Sequence, residues 1–519
     1  MTDLRLAEPL CALSQMTDLG MGQSAGSALH TCLLATELAR RLGLPEREVS
    51  DVYYTALLQH IGCTAYSHET AALVGGDDIG FRSAGARADD ENLRDLLTFL
   101  LAGIASGAPL LTRARAMLSV IRAGPSLAHA LYAANCEVAV RTADRLGLSP
   151  GVQRGLDTLY TRWNGTGVPG IAGEEIALPS RFAQVAGQAI VFRDIGGPDA
   201  AIQSIRKRAG TAFDPVIAEA FLRHGRDLMA DIDEVDSFVA ALDCEPEPRQ
   251  RVPASRLDGI ARAFADITDP VSPWFHSHSA GVATLADATA RHLSLSDREI
   301  TTIRLAGYLH DLGLVGVASG IWNKPKPLTS AEWERVRLHP YYSERILARS
   351  PALASLAPLA GMHHERLDGS GYHRGASGND IPLGARVLAV VDTWDTRTHD
   401  RPHRSAEAPD AVARGLQRDA THGRLDPAIV DAACSVTGQP VPQRRRSWPA
   451  GLTDREVQVL QLAARGYSNR EIGAILSISP KTADHHIQHI YDKIGVSTRA
   501  GAALFAMEHD LITTPIIEK

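Results

Sequence analysis

Apolar residues recur along most of this chain at intervals of three and four, the spacing of a helix with one buried face. In "IRLAGYLHDLG" Ile303, Leu305, Ala306 and Leu309 share such a face. In "HSAGVATLADATARHL" Val282, Leu285, Ala286 and Thr289 do the same. No segment alternates apolar and polar residues over the length of a strand. The pattern predicts an all-α protein. The most apolar run, Leu96 to Leu111, has 16 residues, two glycines and a proline. It is too short to span a bilayer and reads as a buried helix or hairpin.

Two stretches interrupt the helical pattern with proline and charge, "DCEPEPRQRVPASR" at 243–256 and "TGQPVPQRRRSWPAG" at 437–451. Read as linkers, they divide the chain into 1–242, 257–436 and 450–519. The first two pieces echo each other in order. "ATELARRLGL" (35–44) matches "ADATARHLSL" (286–295), and "YTALLQHIG" (54–62) matches "LAGYLHDLG" (305–313). "GEEIALPSRFAQVA" (173–186) matches "GNDIPLGARVLAVV" (378–391), and "FDPVIAEAF" (213–221) matches "LDPAIVDAA" (425–433). The chain therefore reads as a duplicated helical unit followed by a short third domain.

The net charge of −7 is unevenly spread. Pro442 to Arg499 carries nine Lys/Arg and five Asp/Glu, a net +4 on a chain whose remainder is about −11. A basic end on an acidic body points to a nucleic-acid partner there. Six cysteines without a CxxC pair fit reduced thiols in a cytosol. With no apolar leader at the start, a cytoplasmic protein without membrane attachment is expected.

The second repeat concentrates metal-ligand chemistry. His278 opens one predicted helix, His310-Asp311 end another, His339 starts a third, His363-His364 end a fourth, and Asp392 lies in a fifth. Imidazoles and carboxylates of this kind hold Fe, Mn, Ni or Zn. The aspartate of the His-Asp pair suits a bridge between two ions, and two ions about 3.5–4 Å apart can clamp a phosphate for hydrolysis.

"YLHDLGLVGV", "NKPKPLTSAEWERVRLHP", "HHERLDGSGYHRG", "IPLGARVLAVVDTWD" and "DRPHR" together resemble the HD-GYP family, all-helical metal-dependent phosphodiesterases that act on cyclic di-GMP. The resemblance covers 257–436. It implies metal ligands at His278, His310, Asp311, His339, His363, His364 and Asp392, and two divalent transition-metal ions, with Fe or Mn foremost. His310, Asp311 and Asp395 are the expected catalytic residues. Tyr372, Arg401 and Arg404 are expected to face the substrate. Three positions depart from the family pattern. Leu314 replaces a lysine, His373 replaces the proline of the GYP tripeptide, and Trp274 replaces the glutamate of three-metal members. Arg397 and His373 are conceivable substitutes for the missing cation.

In the first repeat the ligands are gone. Ser27 falls opposite His278 and Gln59-His60 opposite the His-Asp pair. Leu159-Tyr160 stand opposite the double histidine, and Gly187 opposite Asp392. No metal is expected there, and the copy reads as a packing partner or a sensory pocket.

The basic end begins with a capping box, Thr453 and Glu456. Gly466 stops that helix, Ser468 or Asn469 caps a second, and Ser479-Pro480 start a third. Residues 450–512 closely resemble the LuxR/NarL-type helix-turn-helix, a four-helix domain that docks on double-stranded DNA. By position Asp484, His485 and Gln488 are expected to face bases, and Lys481, Thr482, Lys493 and Arg499 phosphates. Val457, Leu460, Ile472, Ile475, Ile487 and Ile490 are expected in its core. Two readings result. One is a transcription regulator whose central domain hydrolyses cyclic di-GMP or a related phosphodiester. The other is a catalytically weak, metal-containing sensor of a phosphorylated ligand that controls DNA binding. Half-site symmetry favours a homodimer in either case.

Overall fold

The computed structural model describes residues 3–88, 95, 98, 99, 103, 104, 110–441, 448–509 and 511. Most of the apolar run at 96–111, and 442–447 of the second linker, lie outside the described residues. Among the described residues the fold is all-α, apart from one short antiparallel pairing of Leu4–Arg5 with Arg251–Val252. No helix among them is long and apolar enough to cross a membrane. The chain forms two compact units, Met1–Pro440 and Val441–Lys519.

The first repeat in the larger unit contributes α1 (Ala7–Met21), α2 (Ser27–Arg41), α3 (Glu46–Leu57), α4 (Leu110–Leu146), α5 (Leu178–Arg208) and α6 (Pro215–Asp233). The second contributes α7 (Arg256–Thr268), α8 (His278–His292), α9 (Asp297–Leu309), α10 (His339–Leu347), α11 (Ala357–Gly361), α12 (Leu383–Thr398) and α13 (Pro427–Val436). Local chemistry places many helix starts. The Ser296/Glu299 capping box opens α9. Asp214-Pro215 and Asp426-Pro427 start α6 and α13 identically, the aspartate capping and proline at the first helical position.

Two packing features recur in the two halves of this unit. A Cβ on Gly313 would lie 2.1 Å from the His339 carbonyl oxygen, and one on Gly62 would lie 2.0 Å from that of Asn135. Both glycines allow the turn after the third helix to press on backbone, so Asn135 occupies the structural position of His339. Asp18 and Asp269 are likewise equivalent. Each is buried and accepts N–H groups at the start of the next helix, Asp18 from Gly26 and Ala28 and Asp269 from Ser279.

One continuous core runs from Leu6 to Cys434 through both repeats. Fully buried aromatics such as Tyr53, Phe182 and Phe264 each contribute about 2 kcal/mol to it. The stretch 243–256, expected to be a linker, is instead fixed. Arg251–Val252 form the strand pairing, and buried Glu245 accepts from the Tyr54 hydroxyl at 2.6 Å and pairs with Arg5. Further bonds join the repeats: Glu8 accepts Ser350 Oγ (2.9 Å) and the Ala352 N–H (2.7 Å), and Asp78 accepts the Ser319 N–H (2.7 Å).

The smaller unit holds α14 (Asp454–Ala464), α15 (Asn469–Leu476), α16 (Pro480–Ile494) and α17 (Arg499–Glu508) around its own core. Capping boxes Thr453/Glu456 and Ser468/Glu471 open α14 and α15, and Ser479 caps α16 ahead of Pro480. Val457, Leu460, Ile472, Ile487 and Ile490 are buried, but Ile475 is 52% exposed. On a helix as short as α15 the inward face passes through Ile472 and Leu476, which turns Ile475 outward.

Candidate functional site

The seven residues singled out as ligands converge. His310 caps the C-terminal end of α9, where helix carbonyls lack intrahelical partners. Its Nδ1–H donates to the Gly307 carbonyl at 2.8 Å. The same device recurs twice: His339 Nδ1–H donates to Val336 O (2.7 Å) and His363 Nδ1–H to Ala360 O (2.6 Å), each three residues back. Fixing Nδ1 in this way leaves Nε2 as a lone-pair donor aimed inward. His278, the first residue of α8, is held by Asp395 Oδ1 at 2.7 Å from its Nδ1.

These Nε2 atoms close on Asp311. Its Oδ2 lies 3.4 Å from His278 Nε2 and 3.3 Å from His310 Nε2. Its Oδ1 lies 3.3 Å from His339 Nε2 and 3.5 Å from His363 Nε2. Asp392 reaches His278 Nε2 at 3.3 Å and His364 Nδ1 at 3.8 Å. His339 Nε2 stands 3.3 Å from His363 Nε2 and 3.1 Å from His364 Nε2. Two groups result, His278–His310–Asp311 and His339–His363–His364, each with its ligand atoms within 4.8 Å of one another.

The donor set fits cations. Nitrogens that share an ion at about 2.1 Å stand roughly 3 Å apart, as these do. His310 Nε2 and Asp311 Oδ1 are buried without a hydrogen-bond partner, an arrangement that is costly unless something else meets them. The electrostatics are mixed: against the burial that opposes their charge, Asp311, Asp392 and Asp395 raise His278 well above its usual range, and Asp311 raises His310. Burial opposes charge on Asp311, but the imidazoles of His310, His278 and His339 outweigh it and hold the carboxyl well below its usual range. Asp392 is held low in the same way by His278 and His364. Burial and neighbouring imidazoles push His363 and His364 down, toward the neutral form that can ligate.

The expected substrate residues divide. Tyr372 packs on His364 with ring centroids 4.7 Å apart. Arg401 is buried, stacks 4.9 Å from the Phe275 ring centroid and donates to Trp274 O, while its Nη2 has no hydrogen-bond partner. Its pKa is lowered by burial and raised in part by Asp392, Asp395 and Asp311. Arg404 is not brought to the cluster. Its guanidinium is spent on the carbonyls of Thr396, Arg397, His399 and Ser405. Arg397 forms a bidentate pair with Glu407 and is no free substitute for the missing lysine. Leu314 is buried. Asp395 stands behind His278 rather than among the inward-facing atoms.

Sequence reasoning missed the three supporting carbonyls, for which helix-terminal histidines were the available signal. It also missed Arg366, whose guanidinium reaches Glu365 O at 2.9 Å and Thr393 Oγ1 at 3.4 Å and whose charge bears on His364 and Tyr372. In the first repeat the corresponding space is filled. Gln59 Oε1 would lie 2.7 Å from a Cβ on Gly187, where the second repeat carries Asp392.

In the smaller unit Lys481, His485 and Gln488 are exposed on α16. Thr482 Oγ1 bonds the capping Ser479 hydroxyl (2.7 Å), and Asp484 accepts Asn469 Nδ2 (2.9 Å). Lys493 and Arg499 are engaged internally, Lys493 by Glu456 at 2.6 Å and Arg499 by Tyr467 O.

Comparison with known proteins agrees with this geometry. Residues 262–429 match the HD domain model, and 450–506 match the model described as bacterial regulatory proteins, luxR family. Over 426 residues the chain is 30% identical to 3′3′-cGAMP-specific phosphodiesterase 3 of Vibrio cholerae, covering 81% of this chain and 92% of that protein. A cyclic di-GMP phosphodiesterase of Pseudomonas aeruginosa is 37% identical over 165 residues, 31% of this chain and 39% of the relative. The crystal structure of a cyclic GMP-AMP specific phosphodiesterase of V. cholerae aligns with a TM-score of 0.59 at 27% identity, over 84% of this chain and 98% of its own. With the His/Asp cluster inside the matched HD domain and nearly the whole of one relative spanned at 30% identity, the chain belongs to the HD-GYP family.

Proposed function

We propose that residues 257–436 hydrolyse a 3′3′-linked cyclic dinucleotide, cyclic GMP-AMP or cyclic di-GMP, and that residues 450–519 carry the outcome to double-stranded DNA. Residues 1–242 act as a scaffold, a reading supported by Gln59 lying against Gly187, the position opposite Asp392. The chain then works in the cytoplasm as a homodimeric transcription regulator. The observation that supports the reading is that the Nε2 atoms of His278, His310, His339 and His363 lie within 3.5 Å of the two oxygens of Asp311, with Asp392 against His278 and His364 beside His339.

Two divalent transition-metal ions, Fe or Mn, held by these residues supply the Lewis acidity that phosphodiester hydrolysis needs. The chain's own residues do the rest. The Gly307, Val336 and Ala360 carbonyls and Asp395 hold four imidazoles in register, so little reorganisation is required when substrate arrives. Arg401, with an unspent Nη2 in a buried setting, is placed to grip a phosphate oxygen. Arg366 supplies positive charge beside His364 that Leu314 does not. Tyr372 offers a face on which a base can stack.

The sensor reading keeps one specific observation in its favour. Leu314 is buried where the family pattern has a lysine, so binding could persist with little turnover. Purified chain loaded anaerobically with Fe or Mn is incubated with each dinucleotide and the linear product quantified. Linear product that is lost in Asp311→Asn supports the hydrolase. Tight dinucleotide binding without product supports the sensor, and neither binding nor product overturns both.

A further inference from the structure

The helix expected to enter the DNA groove is poor in net positive charge. On α16, Lys481 and Lys493 are balanced by Asp484 and Asp492, and Lys493 is already paired with Glu456. The same helix carries His485 and His489, four residues apart and therefore on one face. Both are exposed, their ring centroids are 4.3 Å apart at 79°, and neither has a hydrogen-bond partner among the described residues. Imidazoles bound side by side on one ion, with nitrogens about 2.1 Å from it, have centroids roughly 4.5 Å apart. Within each of the two His/Asp groups the corresponding separations are 4.0 Å for His363–His364, 5.0 Å for His339–His364, 5.3 Å for His339–His363 and 5.4 Å for His278–His310. The α16 pair thus has a spacing within the range of those groups in a solvent-facing setting.

We propose that His485 and His489 chelate one divalent transition-metal ion on the outer face of α16, and that this ion supplies the positive charge the recognition helix lacks. The site takes Zn²⁺, Ni²⁺ or Cu²⁺, the ions that two neutral imidazoles favour, and not Mg²⁺. Water completes the coordination until a DNA phosphate or base nitrogen replaces it. Metal supply is then read at the DNA surface as well as at the HD centre. The inference rests on the DNA-binding reading of residues 450–519.

The ion adds two charges. With a salt dependence of about 0.9 per neutralised phosphate, this corresponds to roughly tenfold to thirtyfold tighter DNA binding near 0.15 M salt. The test uses the full chain and a fluorescent duplex of about 30 base pairs, followed by anisotropy in chelator, in micromolar Zn²⁺ and in Mg²⁺. A zinc count by competition with a chromophoric chelator runs in parallel. The expected result is a zinc-specific gain of that size with a log–log salt slope steeper by roughly 2. His489→Gln is expected to lose the gain and one zinc per chain, while Asp311→Asn keeps the gain. An equal zinc count in wild type and His489→Gln overturns the chelate. An equal or absent gain in affinity, or weaker binding in zinc, overturns the role given to the ion. Failure of wild type to bind the duplex even in chelator at low salt is a separate result that sinks the DNA-binding reading itself, and the zinc count still decides the chelate.

Discussion

Gly313 lies in the turn directly after Asp311, pressed against the first residue of α10. A methyl group there would sit 2.1 Å from the His339 carbonyl oxygen and 2.9 Å from both the His339 carbonyl carbon and Tyr342 Cβ. Non-bonded carbon and oxygen need somewhat more than 3 Å, so Gly313→Ala must push the two segments apart by about 1 Å. Those segments carry Asp311 and His339, whose ligand atoms are 3.3 Å apart. Metal sites tolerate displacements of about 0.2 Å. The half of the centre built on His339, His363 and His364 should therefore lose its ion, with hydrolysis down by more than about a hundredfold, since even outer-shell changes cost 10–100-fold. Stability should fall by about 1–3 kcal/mol. Elemental analysis, product formation and thermal unfolding check these together. The duplication supplies an internal control. Gly62→Ala meets the Asn135 carbonyl at 2.0 Å and should cost similar stability while leaving metal content unchanged. Gly259→Ala, on α7 with nothing within 4 Å, should be neutral or stabilising by up to about 1 kcal/mol. Full metal content and activity in Gly313→Ala would refute the reasoning.

Asp395→Asn removes the charge that fixes His278 through its Nδ1, so metal affinity should drop about 10–100-fold without unfolding; unchanged affinity by competition titration would remove Asp395 from the account. Arg401→Met should weaken dinucleotide binding about 10–100-fold, the worth of a charged hydrogen bond, whereas Arg404→Met should lower stability and leave binding intact; the reverse pattern in paired binding and melting assays would contradict the placement of both side chains. Asp18 is fully buried, and burial pushes its carboxyl up to about 8 against the opposing N–H groups of Ala28 and Gly26. Because the folded state favours its protonated form, its contribution is complete below about pH 4 and is lost as pH rises through about 8, on the order of a few kcal/mol. The melting temperature of the chain should fall over that range, and Asp18→Asn should flatten the slope; identical pH profiles would exclude this group as the cause.

What the sequence revealed followed from residue identity, and what it hid depended on distance along the chain. The clustering of these side chains was legible because histidines and aspartates at predicted helix ends have few other uses in such numbers. The repeat was legible because Asp-Pro helix starts and close-packed glycines leave local marks, as at Asp214-Pro215 and Asp426-Pro427. The stretch 243–256 looked like a linker because its strand partner, Leu4–Arg5, is about 250 residues away. Arg404 and Arg397 looked available for substrate because composition does not tell whether a guanidinium is consumed by backbone carbonyls or by Glu407. Ile475 and Leu476 are both apolar neighbours, and only packing decides which of them faces inward. In the N-terminal half Asn135 meets Gly62 as His339 meets Gly313, and Gln59 lies against Gly187.

Asp311, with His278, His310, Asp392, His339, His363 and His364, would hold the two divalent cations of the proposed hydrolase. Anomalous diffraction at the iron or manganese edge from crystals of the metal-loaded chain tests this directly. Two peaks about 3.5–4 Å apart, one beside each oxygen of Asp311, are the expected result. A map with no anomalous density between these side chains, from protein that still hydrolyses its dinucleotide, would contradict the account.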